Sequence, residues 1–182
     1  FGASMPQHYQ FMKDQYPDLY ERIKDAVRSG NWELQGGMWI EADCNLISGE
    51  SMVRQLLHGK NFFKDEFDIE VDNLWLPDVF GYSAALPQIL KRAGVNYFLT
   101  QKLSWSQFNE FPHHTFNWRG IDGTEILTHF PPENTYNSEL DTEFILPAVK
   151  GFKEKDKLDE FISLFGVGNG GGGPKPENVE LG

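Results

Sequence analysis

A single cysteine, Cys44, is the only thiol in the chain, so no disulfide forms within it and no Cys-x-x-Cys metal element is present. A lone Cys of this kind reads as a small buried hydrophobe. Its company fits a reducing compartment, and a cytoplasmic location is the expectation. Long apolar runs are missing as well. No stretch approaches the roughly 20 residues of a membrane-crossing helix, and no charged segment followed by an apolar one marks a secretory leader. Positive charge is scarce: 16 Lys and Arg stand against 27 Asp and Glu, a formal net charge of -11. Phosphate backbones are bound by clustered cations that release counterions, so nucleic acid is excluded as a partner and a neutral substrate fits better. There is no His-Glu-x-x-His, no His-x-His and no internal repeat, so the sequence on its own shows no complete metal site.

What is there is an ordinary globular composition, 40% hydrophobic and 24% charged, too apolar for a disordered chain. At 182 residues it suits one domain or part of a larger one. Pro17 and Asp18 followed by Leu19, Tyr20, Ile23 and Val27, with Gly30 beyond, predict a helix with Pro at its start and Gly past its end. Trp32 to Ile40 reads as a buried strand with Glu41, Ala42 and Asp43 just after it. Met52, Val53, Leu56, Leu57 and Phe63 recur at helical spacing between Gly49 and Phe63. Asn73 to Leu76 is a short buried strand ended by Pro77. Ala84 to Ala93 reads as a helix closed by Gly94, and Val95 to Thr100 as a third strand.

This β, α, β, α, β order favours a parallel sheet with helical cover, where ligands gather at the carboxyl ends of the strands. Glu41, Asp43, Asp78 and Gln101 or Lys102 all fall there. Asp122-Gly123 between Phe116–Trp118 and Glu125–His129 predicts an antiparallel hairpin insertion. Phe161 to Val167 is read as a further strand.

Among residues able to carry chemistry, Asp78 stands out in Trp75-Leu76-Pro77-Asp78-Val79-Phe80-Gly81-Tyr82-Ser83. A carboxylate between a buried strand and a Gly-containing turn is aimed outward by rigid backbone, as a nucleophile requires. The plainer reading is a helix N-cap or turn residue, with Phe80 in the core. Glu41 and Asp43 are either paired carboxylates or a solvated strand end. His113 and His114 are adjacent and point to opposite sides of an extended chain, and His129 lies inside a strand, so all three read as structural. The run Gly168-Asn169-Gly170-Gly171-Gly172-Gly173-Pro174 is not a P-loop, since no Lys or helix start follows it directly. It is either a linker or a loop whose missing side chains admit a ligand.

Several stretches together resemble one family. They are Gly36-Gly37-Met38-Trp39-Ile40-Glu41-Ala42-Asp43-Cys44-Asn45-Leu46, Ser48-Gly49-Glu50-Ser51, Leu76-Pro77-Asp78-Val79-Phe80-Gly81-Tyr82-Ser83, Phe98 through Trp105, Phe111 through Phe116, and Leu127 through Pro132. Their order and sequence are similar to the family 38 glycoside hydrolases, the retaining α-mannosidases, and most of all to the cytosolic and bacterial branch.

The resemblance implies that Asp78 both attacks the anomeric carbon and ligates zinc, that Phe80 lies beside the bound sugar, and that Lys102, Tyr136 and Asn169 contact substrate. Such a carboxylate forms a covalent glycosyl intermediate while zinc holds sugar hydroxyls. The partner implied is a mannose-containing oligosaccharide, and a homo-oligomer is compatible with the sequence. Two elements of the family pattern do not occur in these residues: a His-x-Asp that supplies two zinc ligands and a further downstream His ligand. Asn169 stands where relatives often carry Asp, and an amide cannot donate a proton as an acid does.

The expectation is therefore an incomplete α/β domain, a distorted parallel sheet or barrel of glycoside hydrolase/deacetylase-like type with helices on both faces, within the N-terminal catalytic domain of a larger α-mannosidase. Two rival readings stand beside it. One is a carbohydrate-binding or structural piece without turnover, the state expected for these residues in isolation. The other is a metal-dependent deacetylase-like hydrolase, which needs a local ligand triad.

Overall fold

The structure, a computed structural model, describes residues 1–168 and 173–181. In chain order the elements are β1 (Gly2–Ala3), α1 (Pro6–Gln15), α2 (Pro17–Arg28), β2 (Glu33–Leu34), α3 (Gly49–Phe67), β3 (Asn73–Leu76), α4 (Leu86–Arg92), β4 (Tyr97–Thr100), β5 (Thr115–Arg119), β6 (Glu125–His129), α5 (Thr142–Gly151) and α6 (Pro176–Leu181). β1 and β2 form a parallel pair, and a second sheet runs in the order β3-β4-β6-β5. In that sheet β3, β4 and β6 are parallel, and β5 is the antiparallel edge. The fold is mixed α/β, and among the described residues its sheets do not close into a barrel.

Alternation on the strands decides which face is buried. The register Leu74↔Phe98, Phe98↔Thr128 and Trp118↔Ile126 puts Leu74, Leu76, Phe98 and Ile126 on one face. They share a buried cluster with Met52 and Leu56 of α3 and Leu86 and Leu90 of α4. At about 25 cal/mol per Å² of apolar surface, cover of this kind is the main stabilising term for the sheet. The expectation of helices on both faces is met on this face alone. The opposite face presents Trp75, Tyr97, Leu99, Leu127 and His129 to an open groove of about 530 Å³. A second cluster joins α1, α2 and the far end of α3 through Tyr9, Tyr20, Ile23, Phe62 and Phe63.

Three readings of the sequence are corrected. Trp32 to Ile40 is strand only at Glu33–Leu34. Beyond it Gly36 takes a φ of 68° and the backbone turns onto α3, where the Trp39 amide donates to the Gln55 carbonyl and the Ile40 amide to the Gln55 side chain. The groups a strand would pair sideways are thereby satisfied by a helix. The hairpin is real, with Gly123 at a φ of 84° and the Asp122 carboxylate accepting the Thr124 amide. It is not an insertion, because β6 continues the parallel sheet beside β4. Phe161 to Val167 forms no strand. The Ile162 amide bonds the His129 ring and the Leu164 carbonyl accepts from the Ser138 amide, so no ladder develops. α1 had no counterpart in the sequence reading.

Candidate active site

The site grows from the carboxyl ends of β3 and β4. Their register ends on Leu76↔Thr100, so the residues that follow, Pro77-Asp78 and Gln101-Lys102, emerge side by side. What holds the turn after β3 is Tyr82. Its hydroxyl donates to the Val79 carbonyl at 2.8 Å, also lies 3.2 Å from the Leu76 carbonyl, and bonds the Thr100 hydroxyl. One phenol therefore ties the end of β3, the turn and the end of β4 together. Gly81 beside it takes a φ of 154°, which disfavours a side chain, and a Cβ there would meet only the Asn45 side chain. The Asp78 side chain stands 48% exposed on this clamp. It accepts no amide hydrogen bond among the described residues, and the N-cap of α4 is Ala85, so the helix-capping reading of Asp78 does not hold.

Lys102 faces it. A 3-10 turn over Lys102–Trp105 eclipses residues three apart and brings the Trp105 ring over the Lys102 ammonium. Nζ lies 3.8 Å from the Trp105 ring centre, 4.7 Å from Tyr136 and 5.3 Å from Phe80. It is 3.1 Å from Asp78 Oδ1. Phe80 and Trp105 meet edge to face at 5.5 Å, and both rings remain more than half exposed. The Tyr136 ring lies close against Gly168, where a Cβ would stand 2.6 Å from it. The absent side chain there makes room for a protein ring.

Asp78, Phe80, Lys102 and Tyr136 are therefore brought together. Asn169 lies outside the described residues. Trp105 and Tyr82 were not singled out by the sequence reading, although the Lys-x-x-Trp spacing carried a signal for the first.

The two other acidic candidates separate. Glu41 accepts from Ser4 Oγ at 2.6 Å. Burial raises its pKa, the Ser4 bond opposes that, and the Asp78 charge adds to the rise. Asp43 is exposed and accepts the Asn45 amide in a tight turn. Gln101 is buried, with its amide nitrogen bonded to Ser104 Oγ and its Oε1 without a partner among the described residues.

The histidines are structural. Buried Glu154 accepts the His114 and Thr115 amides and pairs with His113 Nδ1. Burial raises the Glu154 carboxyl's pKa, and these bonds outweigh that to hold it below the usual range. His114 Nδ1 accepts the Lys153 amide. His129 lies between Thr115 Oγ1 at 2.8 Å and the Ile162 amide at 3.3 Å, and burial pushes its pKa from 6.5 down to about 4. Because the fold disfavours this imidazolium, the contribution is complete above about pH 6.5 and lost as pH falls toward 4. A shift of that size corresponds to on the order of 3 kcal/mol. In urea titrations at pH 7 and pH 4.5, His129→Gln is expected to lose most of this acid sensitivity. An unchanged pH dependence in the variant would place it elsewhere.

No group of three or more His, Cys, Asp or Glu able to hold a metal ion occurs among the described residues. A catalytic zinc needs about three protein ligands, and beside Asp78 the nearest cation is the Lys102 ammonium. The donors present do not by themselves fit zinc. Among the described residues no helix is long and apolar enough to cross a membrane.

Residues 1–181 match the glycosyl hydrolases family 38 N-terminal domain. The chain is 49% identical over 180 residues to alpha-mannosidase G of Dictyostelium discoideum, covering 99% of this chain and 17% of that protein. It is 48% identical over 174 residues to human alpha-mannosidase 2C1, with 96% and 17% covered. It thus spans about a sixth of these relatives' length. An alpha-mannosidase structure from Enterococcus faecalis V583 superposes with a TM-score of 0.56 at 24% identity, over 77% of this chain and 16% of that one, a likeness of fold. With nearly every residue matched, the chain belongs to glycosyl hydrolase family 38 and lies within its N-terminal domain.

Proposed function

We propose that these residues form part of the catalytic domain of a retaining α-mannosidase in which Asp78 is the nucleophile. The observation that carries the reading is the clamped, solvent-facing Asp78 carboxylate beside exposed aromatic rings, at the carboxyl ends of two parallel strands. An Asp78 oxygen forms a bond to the anomeric carbon as the glycosidic C–O bond breaks, and the electron pair leaves on the departing oxygen. That oxygen takes a proton from an acid. Water then attacks the same carbon, loses a proton and frees the carboxylate, so two inversions give net retention. The Asn169 amide is unfit to be the acid. Phe80 offers apolar ring surface to the sugar's C–H faces, and Gln101 Oε1 is an acceptor in want of a donor.

The substrate class proposed is a terminal α-linked mannose on an oligosaccharide, which is neutral and fits the acidic chain. Zinc would take one ligand from Asp78 and the rest from residues beyond those described, and no step here is derived through it. The open sheet face supports a larger barrel-like domain than these residues build, of the glycoside hydrolase/deacetylase-like type. Buried Cys44 fits a cytoplasmic setting. A second reading, binding without turnover by these residues alone, is favoured by the incomplete set of metal donors.

Proton NMR of aryl α-mannoside hydrolysis by the complete polypeptide tests the proposal. The α-anomer of mannose is expected to form first and to mutarotate afterwards. A first-formed β-anomer would rule out the double displacement.

A further inference from the structure

Lys102 is 7% exposed, an unusual position for an ammonium group, which is stable there only when its charge is compensated. The compensation comes from Asp78 on one side and from three π faces on the others. With those directions filled, the ammonium is not presented to a ligand. The exposed surface at this point belongs to the rings of Phe80 and Trp105, 56% and 62% open.

Charge adds a second argument. Glycosyl transfer passes through an oxocarbenium-like state, and a bare cation next to it is repulsive. An ammonium beside the nucleophile therefore helps only by fixing the carboxylate's orientation, with its own field softened by the aromatic faces around it.

Resting on the reading of Asp78 as nucleophile, we propose that Lys102 is a positioning residue for Asp78 and that Trp105, acting through Lys102, holds the ammonium in place. Lys102 engages Oδ1 and leaves Oδ2 to the anomeric carbon. Trp105 is thereby a wall of the nucleophile's support, and the ring surface offered to the sugar is that of Phe80. The 3-10 turn sets the spacing, since only residues three apart eclipse in this way.

The test uses the complete polypeptide and an aryl α-mannoside, with Lys102→Met, Trp105→Leu, Trp105→Phe and the double Lys102→Met/Trp105→Leu. Misplacing a reacting group costs roughly 10²-fold. Lys102→Met is therefore expected to lower kcat by about that factor while KM changes by less than about threefold. Trp105→Leu follows it in the same sense, Trp105→Phe keeps a π face and most of kcat, and the double variant is no worse than Lys102→Met. A raised KM with kcat retained would make Lys102 a substrate contact and overturn the proposal. Independent, multiplying losses in the double variant would equally overturn the link from Trp105 to Lys102. Thermal unfolding checks that each variant is folded. If Lys102→Met does not fold, the contrast between Trp105→Leu and Trp105→Phe decides: equal activity in the two sinks the idea. Asp78→Asn run alongside separates the two levels, because activity retained there removes the nucleophile itself, whereas its loss with an unaffected Lys102→Met removes only the positioning role.

Discussion

Replacing Asp78 with Asn in the complete polypeptide is expected to lower turnover of an aryl α-mannoside by about 10³-fold or more. The amide has the shape of the carboxylate and not its nucleophilicity, so the change removes bond formation to the anomeric carbon and little else. The clamp that shapes this turn runs through the Tyr82 hydroxyl and backbone carbonyls, none of which the substitution touches. The Asp78 side chain is half exposed, but its partner is not: the substitution leaves the buried Lys102 ammonium to the Asn oxygen and the three ring faces. Loss of that ionic partner lowers thermal stability alongside the lost activity. Steady-state kinetics with unfolding curves on the same preparations separate the two effects. Turnover within tenfold of the starting protein would take Asp78 out of the mechanism.

The second large effect concerns Gly59, in the middle of α3. In an open helix Gly→Ala is stabilising by roughly 1 kcal/mol, because Ala loses less backbone freedom on folding. Here the sign reverses. A Cβ at Gly59 would stand 2.3 Å from the Gly37 carbonyl oxygen, 2.6 Å from Met38 carbonyl carbon and 2.7 Å from the Trp39 amide nitrogen. All three are backbone atoms, fixed where the chain crosses α3 through the Trp39 and Ile40 amides. They cannot swing aside as a flexible side chain would. Gly59→Ala is expected to cost about 3 kcal/mol or more, in the range of severe overpacking, and to lower the yield of folded protein. Chemical denaturation measures it. A variant as stable as the parent would show that the crossing segment is looser than this packing requires.

Gly59 also shows what the sequence could not say. Its helix was legible from the spacing of Met52, Leu56 and Phe63, and nothing in that spacing marks Gly59 as required. The reason for it lies about twenty residues away, in Gly37 to Trp39, whose hydrogen bonds run to a helix. That same crossing defeated the reading of Trp32 to Ile40 as a strand, because apolar periodicity reports burial and not the partner of each amide. By contrast β3, α3 and the Asp122-Gly123 hairpin are set by local signals, namely a short apolar run stopped by Pro77, helical spacing between Gly49 and Phe63, and a residue pair suited to a left-handed turn.

At the site, Asp78, Phe80, Lys102 and Tyr136 followed from the resemblance, and the structure brings them within one cluster. The role of Tyr82 was hidden, since one phenol linking three backbone segments depends on where the chain returns, whereas that of Trp105 is local and set by a 3-10 turn that aligns it with Lys102. His113 and His114 were read as structural from their adjacency. Glu154, forty residues on, supplies the physical cause that adjacency alone could not name.

The central claim is that Asp78 forms the covalent bond to the sugar, and trapping that ester tests it most directly. A fluorinated mannoside with a good leaving group forms the intermediate faster than water resolves it, so incubation with the complete polypeptide, proteolysis and mass spectrometry locate the modified peptide. The expected result is one mannosyl label on Asp78, absent from Asp78→Asn. A label on Glu41 or Asp43 would contradict the account and reassign the nucleophile.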